Sequence, residues 1–148
     1  MKSPIEDSAT CGCVGDHNKY KVEIWDTPGD KIFEPIILES LYRRDVVIFV
    51  YDVNKKETFK RVDSYYNKVK ELNQKDMIFV LVGNKSDNDQ IDKIKRLDHP
   101  QREVSFGDGL KCAMKLGIAF YEVSAKNGIN VSAVFESAVT QLICKRSK

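Results

Sequence analysis

The chain has 148 residues, a formal net charge of +2 and 31% charged residues, which fits one domain able to bury about 70% of the surface its unfolded chain would expose. The near-neutral balance argues against a dedicated nucleic-acid binder, and no apolar run approaches the roughly 20 residues of a membrane span. No apolar core segment of a signal peptide lies between Met1 and Gly15, so the expectation is a soluble, cytoplasmic protein with no membrane anchor of its own.

Residues 1–18 are poorly defined by pattern. Gly12, Gly15, Asp16 and Asn18 are turn formers, and a short strand around Ser8 to Val14 is expected to hairpin into a strand from Tyr20 to Trp25. Residues 30–44 place Phe33, Ile36, Ile37, Leu41 and Tyr42 near a helical period, with Pro35 in the first turn, where its missing N–H costs little. Residues 46–53 form a continuous apolar strand. An amphipathic helix over 57–72 follows, with Phe59, Val62, Tyr66, Val69 and Leu72 on one face. The next strand covers 77–83, and 88–101 is a charged surface insertion in which His99 reads as exposed. Ser105 and Asp108 suggest a partial capping box for a helix ending at Gly117. After a strand over 119–123, Asn130 is expected to cap a last helix with Val131, Val134, Phe135, Ala138, Leu142 and Ile143 as its core stripe. Strands alternating with helices predict a mainly parallel α/β sheet covered on both faces.

Three strand ends carry residues suited to chemistry. The run Ile78-Phe79-Val80-Leu81-Val82-Gly83 leads into Asn84-Lys85-Ser86-Asp87, and open α/β sheets place ligands beyond the carboxyl ends of their strands. There Asp87 can accept two hydrogen bonds from the N1–H and amine of guanine. The Lys85 stem can cover the ring, and the Asn84 amide can reach the Hoogsteen edge while bracing neighbouring loops. Alone, the tetrad reads equally well as an ordinary polar loop. Two further stretches tilt the balance. Val22-Glu23-Ile24-Trp25 runs into Asp26-Thr27-Pro28-Gly29, where Asp26 can hold Mg²⁺ through water and Gly29 lets a backbone N–H approach a terminal phosphate. Ala119 to Val123 runs into Ser124-Ala125-Lys126, whose backbone N–H groups can meet the guanine O6.

With these motifs in their order, the chain resembles a small GTPase of the Ras superfamily, and most the Rab branch. The resemblance runs through Lys21 to Thr27, Asp45 to Val53, Val82 to Asp87, Arg102 to Ser105 and Phe120 to Lys126. It implies a P-loop NTPase-like (small G-protein) α/β domain of three layers, GTP or GDP with Mg²⁺ as ligands, and a switch role in vesicle traffic, peripheral to endomembranes. It also implies that the stretch from Ile32 to Tyr42 reports nucleotide state to effector or regulator proteins. Asp30 stands where the family usually has the water-orienting glutamine. A carboxylate there would repel the γ-phosphate, so slow hydrolysis is expected, and no catalytic residue is secure.

One family motif is absent. No G-x-x-x-x-G-K-[ST] occurs in the chain, the loop that cradles phosphates and adds a lysine and a magnesium-binding hydroxyl. Against the Rab pattern, Ser3 falls at the place of the switch threonine. The expectation is therefore a domain without its first strand and phosphate loop, most simply a fragment or truncated isoform, unless the flanking strands re-pair or the N-terminal residues fill the slot. Base contacts alone, at roughly 1–3 kcal/mol each and offset by ordering costs, predict millimolar to high-micromolar nucleotide binding. The rival expectation is a nucleotide-independent interaction module acting through the Ile32 to Tyr42 surface. The lone C-x-C of Cys11 and Cys13 has no second pair at zinc-ligand spacing, and the four cysteines read as free thiols. The C-terminal residues hold no prenylation signal.

Overall fold

The structure, a computed structural model, describes residues 9–11, 20–42, 44–72, 77–87 and 101–147. In chain order these form β1 (Ala9–Cys11), β2 (Tyr20–Val22), a 3-10 turn (Lys31–Phe33), α1 (Glu34–Ser40), β3 (Val46–Asp52), α2 (Lys56–Lys60), α3 (Val62–Glu71), β4 (Ile78–Asn84), α4 (Phe106–Leu116), β5 (Ala119–Glu122) and α5 (Val131–Arg146). The charged insertion, with His99, lies outside the described residues except for Gln101. So do the Cys11 and Cys13 thiols, whereas Cys112 and Cys144 are free, the first half-buried and the second exposed.

The expected parallel sheet is present as three strands in the order β3-β4-β5. Val46 pairs with Ile78 and Asp52 with Asn84, while Val80 pairs with Ala119 and Gly83 with Glu122. Both faces are covered. On one, Val47, Phe49 and Tyr51 of β3 meet Val62, Tyr66 and Val69 of α3 and Ala113 of α4. On the other, Ile78, Val80 and Val82 of β4 meet Val134 and Ala138 of α5. This division follows from the period of two along a strand, and it gives the three layers that the α/β reading requires. Phe49, Tyr66 and Phe79 form an aromatic cluster with ring centroids 5.3–6.1 Å apart, a spacing that adds to simple area burial.

Tyr51 is the most tightly enclosed of these rings, at 1% exposure. Its hydroxyl reaches between Gly83 and Gly109, where an added Cβ would lie 2.8 and 2.5 Å from the phenolic oxygen. Both glycines are therefore required by the ring's passage. The hydroxyl finds no hydrogen-bond partner among the described residues, and burial drives its pKa far above the ordinary tyrosine value. By contrast Tyr66 donates to the Leu116 carbonyl at 3.2 Å, which satisfies an orphan acceptor at the end of α4.

Several expected elements are adjusted. The strand expected over 20–25 ends at Val22; of the partner strand expected around Ser8 to Val14, Ala9–Cys11 lie among the described residues and pair with it from Ala9–Val22 to Cys11–Tyr20. The expected pairing of these strands is present as a two-stranded antiparallel sheet, while the expected turn lies outside the described residues. The helix expected over 57–72 is split by a turn at Arg61, whose guanidinium reaches the Gly29 carbonyl at 3.4 Å. Pro35 does occupy the first turn of α1. The capping box on α4 is complete rather than partial, with Ser105 Oγ accepting from the Asp108 N–H and the Asp108 carboxylate accepting from the Ser105 N–H. Asn130 does not cap α5 through its side chain. It adopts φ 59° and spends its amide on the Glu122 carbonyl at 2.9 Å, a left-handed position that asparagine tolerates better than most residues. Val139 joins the buried stripe of α5, one residue beyond those expected.

Candidate functional site

The parallel register ends β3, β4 and β5 at one level, so the segments after Asp52, Asn84 and Glu122 meet at a common edge. Hydrogen bonds tie them together. The Asn84 side-chain oxygen accepts from the Lys85 N–H at 2.8 Å and from the Ala125 N–H at 3.1 Å. The Ser124 hydroxyl donates to Asp87 Oδ1 at 2.9 Å and accepts from the Asn127 N–H at 3.1 Å. Ser86 N–H donates to the Val123 carbonyl, and Val53 N–H to the Asn84 carbonyl. Ser124 is fully buried, and its loop closes on itself through reciprocal backbone bonds with Ile129, with Gly128 left-handed at φ 70°.

Five of the residues expected to read a base are thus brought together: Asn84, Lys85, Asp87, Ser124 and Ala125. Asn84 does brace the neighbouring loop, and because its oxygen faces the protein its Nδ2 donors are left for a ligand. Asp87 keeps one whole oxygen and part of the other for two donors on a ligand's edge. The expectation for the Ser124-Ala125-Lys126 donors is corrected in detail. The Ser124 N–H is committed to Ile129 O and the Ala125 N–H to Asn84 Oδ1, because closing this tight loop consumes them. The Lys126 N–H is the uncommitted donor of the three among the described residues.

Lys85 stands at φ 71°, uncommon for a residue with a β-carbon. Its ammonium lies 2.7 Å from Asp52 Oδ2. Asp52 was not singled out by motif reading, since a strand-end aspartate has no signature until the parallel register sets it against Asn84. A second missed pair braces the edge from β5. Arg102 donates to both Glu122 oxygens at 2.7 and 2.9 Å and to the Val104 carbonyl at 2.9 Å.

Asp26, Gly29 and Asp30 lie on an exposed stretch between β2 and the 3-10 turn. The hydrogen bonds joining the five-residue cluster include none of them. Asp30 caps the 3-10 turn, with Oδ1 accepting from the Ile32 N–H at 3.2 Å. A Cβ added at Gly29 would meet nothing within 4 Å among the described residues, a side open to a ligand, while the Gly29 carbonyl accepts from Arg61. For magnesium the fit is weaker. Among the described residues no three His, Cys, Asp or Glu side chains gather to hold a metal, and Asp26 offers a single carboxylate, enough only for an ion that keeps most of its water. Trp25 is half exposed under the Arg44 guanidinium, 4.2 Å from its ring centroid. Ile32, Ile36 and Tyr42 are exposed as well, while Ile37 is buried.

Fold and strand-end cluster together define a small G-protein-like α/β domain, and comparison with known proteins agrees. The model of the Ras family matches residues 1–144, so the chain belongs to that family. Within it the chain is Rab-like. It is 32% identical over 135 residues to Ras-related protein Rab-26 of Rattus norvegicus, covering 90% of this chain and 48% of that protein. It is 38% identical over 128 residues to Ras-related protein Rab-18 of Lymnaea stagnalis (85% of this chain, 57% of that protein). Ras-related protein Rab-3 of Caenorhabditis elegans is 35% identical over 130 residues, covering 86% and 53%. The chain spans about half the length of these curated relatives. Among the described residues no helix is long and apolar enough to cross a membrane.

Proposed function

We propose that this chain is a guanine-nucleotide-binding switch protein of the Rab branch, acting in vesicle traffic at the surface of endomembranes. The observation that carries the reading is the hydrogen-bonded cluster of Asn84, Asp87, Ser124 and Ala125 at the carboxyl edge of a parallel sheet. Guanine presents N1–H and an exocyclic amine to a carboxylate such as Asp87, where adenine presents neither. In this reading Lys85 and the Lys126 N–H complete the guanosine end, while Asp26 holds magnesium through water and Gly29 approaches the terminal phosphate. Phosphoryl transfer from GTP to water resets such a switch. Here it is slow, because Asp30 is a carboxylate engaged in capping the turn at Ile32. Nucleotide affinity is weak, since the sequence contains no G-x-x-x-x-G-K-[ST] loop.

Calorimetric titration of GDP with magnesium into the purified chain, with ADP as control, tests the reading. Saturable GDP binding with no ADP response supports it; equal responses to the two nucleotides, or none to either, would sink it. The exposed apolar surface of Trp25, Ile32, Ile36 and Tyr42 favours a second reading, a nucleotide-independent interaction module that engages effector or regulator proteins there. A folded chain that ignores GDP selects that second reading.

A further inference from the structure

The pairing of Lys85 with Asp52 has the features of a built contact rather than an incidental surface pair. Exposed ion pairs contribute little because both partners must be ordered to meet. Here the acid is already ordered. The Asp52 N–H donates to Thr58 Oγ1 at 3.0 Å, and that hydroxyl donates onward to the Lys55 carbonyl at 2.7 Å. Asp52 Oδ1 accepts from the Asn54 N–H at 2.9 Å. The side chain is only 12% exposed, and its remaining oxygen, Oδ2, meets the Lys85 ammonium at 2.7 Å. At its other end Lys85 is anchored by its left-handed backbone and by the bond from its N–H to Asn84 Oδ1. Both ends of the lysine are therefore tied, one to β4 and the other to β3.

We infer that Asp52 is the positioning residue for Lys85, holding the lysine so that its stem receives the face of a guanine ring at the ends of β3 and β4. This rests on the nucleotide reading above. With its charge satisfied by Asp52, Lys85 acts through its four-carbon stem, which remains accessible on a side chain 56% exposed, rather than as a cation seeking phosphate. A free lysine stem samples many rotamers, and fixing it before the ligand arrives removes that ordering cost from binding.

The test measures GDP affinity by calorimetry in the wild-type chain, Asp52→Asn, Lys85→Met and the double variant. Acetic anhydride labelling of Lys85, read by mass spectrometry, runs alongside. Asn is isosteric and keeps an oxygen for the Asn54 N–H. Asp52→Asn is expected to weaken GDP binding about tenfold and to speed Lys85 labelling, with its effect on affinity vanishing in the Lys85→Met background. Unchanged GDP affinity in Asp52→Asn, or an equal loss with and without Lys85, overturns the inference. A wild type that binds no GDP overturns the nucleotide reading and this role with it. Labelling unchanged by Asp52→Asn refutes the clamp whatever the nucleotide does.

Discussion

The packing around Tyr51 permits a quantitative test of the core. An alanine Cβ at position 109 would stand 2.5 Å from the Tyr51 hydroxyl and 2.5 Å from Phe120 Cζ. One is the phenolic oxygen of a buried ring and the other a ring carbon, so relief requires moving an aromatic ring or displacing α4. Overpacking of this kind costs about 1–3 kcal/mol, while replacing a helical glycine by alanine recovers at most about 1 kcal/mol. The net expectation for Gly109→Ala is a loss of up to about 2 kcal/mol. Gly107, two residues earlier on α4, supplies the control, because its added Cβ would meet only Ser105 Oγ at 3.7 Å. Gly107→Ala is expected to be neutral or slightly stabilising. Urea unfolding at constant m reads the difference, which should separate the two midpoints by about 1 M for a chain this size. Tyr51→Phe removes a buried hydroxyl that has no hydrogen-bond partner among the described residues. It should therefore stabilise the wild type, and stabilise Gly109→Ala by more, since one of the two clashes disappears. Equal midpoints for the two glycine variants would refute the packing argument, as would a Tyr51→Phe effect that is the same in both backgrounds.

Two further outcomes are expected. Glu122→Gln replaces the carboxylate that accepts from the Arg102 guanidinium at 2.7 and 2.9 Å with a neutral amide, and should lower stability by about 1–3 kcal/mol, read from the denaturation midpoint. Acid should weaken the fold partly through Asp52. Burial alone would raise its carboxyl pKa, but the Lys85 ammonium and the Asn54 N–H outweigh burial and hold it below the ordinary value. A folded-state pKa lowered in this way contributes stability that is complete above the unfolded value of about 3.9 and is lost as pH falls through the folded value. The Asp52→Asn midpoint should therefore decline less than wild type below about pH 4; parallel pH profiles would contradict the shift.

Much of the architecture is legible from local pattern. Continuous apolar runs mark β3 and β4; β4 is buried on both faces and has no polar side to show, whereas β3 leaves Val50 exposed. Ser105, Asp108 and Gly117 mark the ends of α4 through backbone groups that a helix leaves unpaired. The strand-end motifs place Asn84, Asp87, Ser124 and Ala125 beyond the carboxyl ends of two strands, where the structure joins them by hydrogen bonds. What pattern could not supply were relations between residues distant along the chain. Asp52 faces Lys85, and Arg102 faces Glu122, only because parallel strands end at one level and the segments after them converge. Which N–H groups of the Ser124 loop stay open was equally a tertiary matter, settled by whether Ile129 and Asn84 consume them. Asn130 looked like a cap and became a left-handed brace on Glu122 for the same reason. The sequence by itself determined the alternation of strands and helices and the chemical types at the strand ends, since both are local. Only the tertiary structure decided the partners, because hydrogen bonds and ion pairs depend on distance in space.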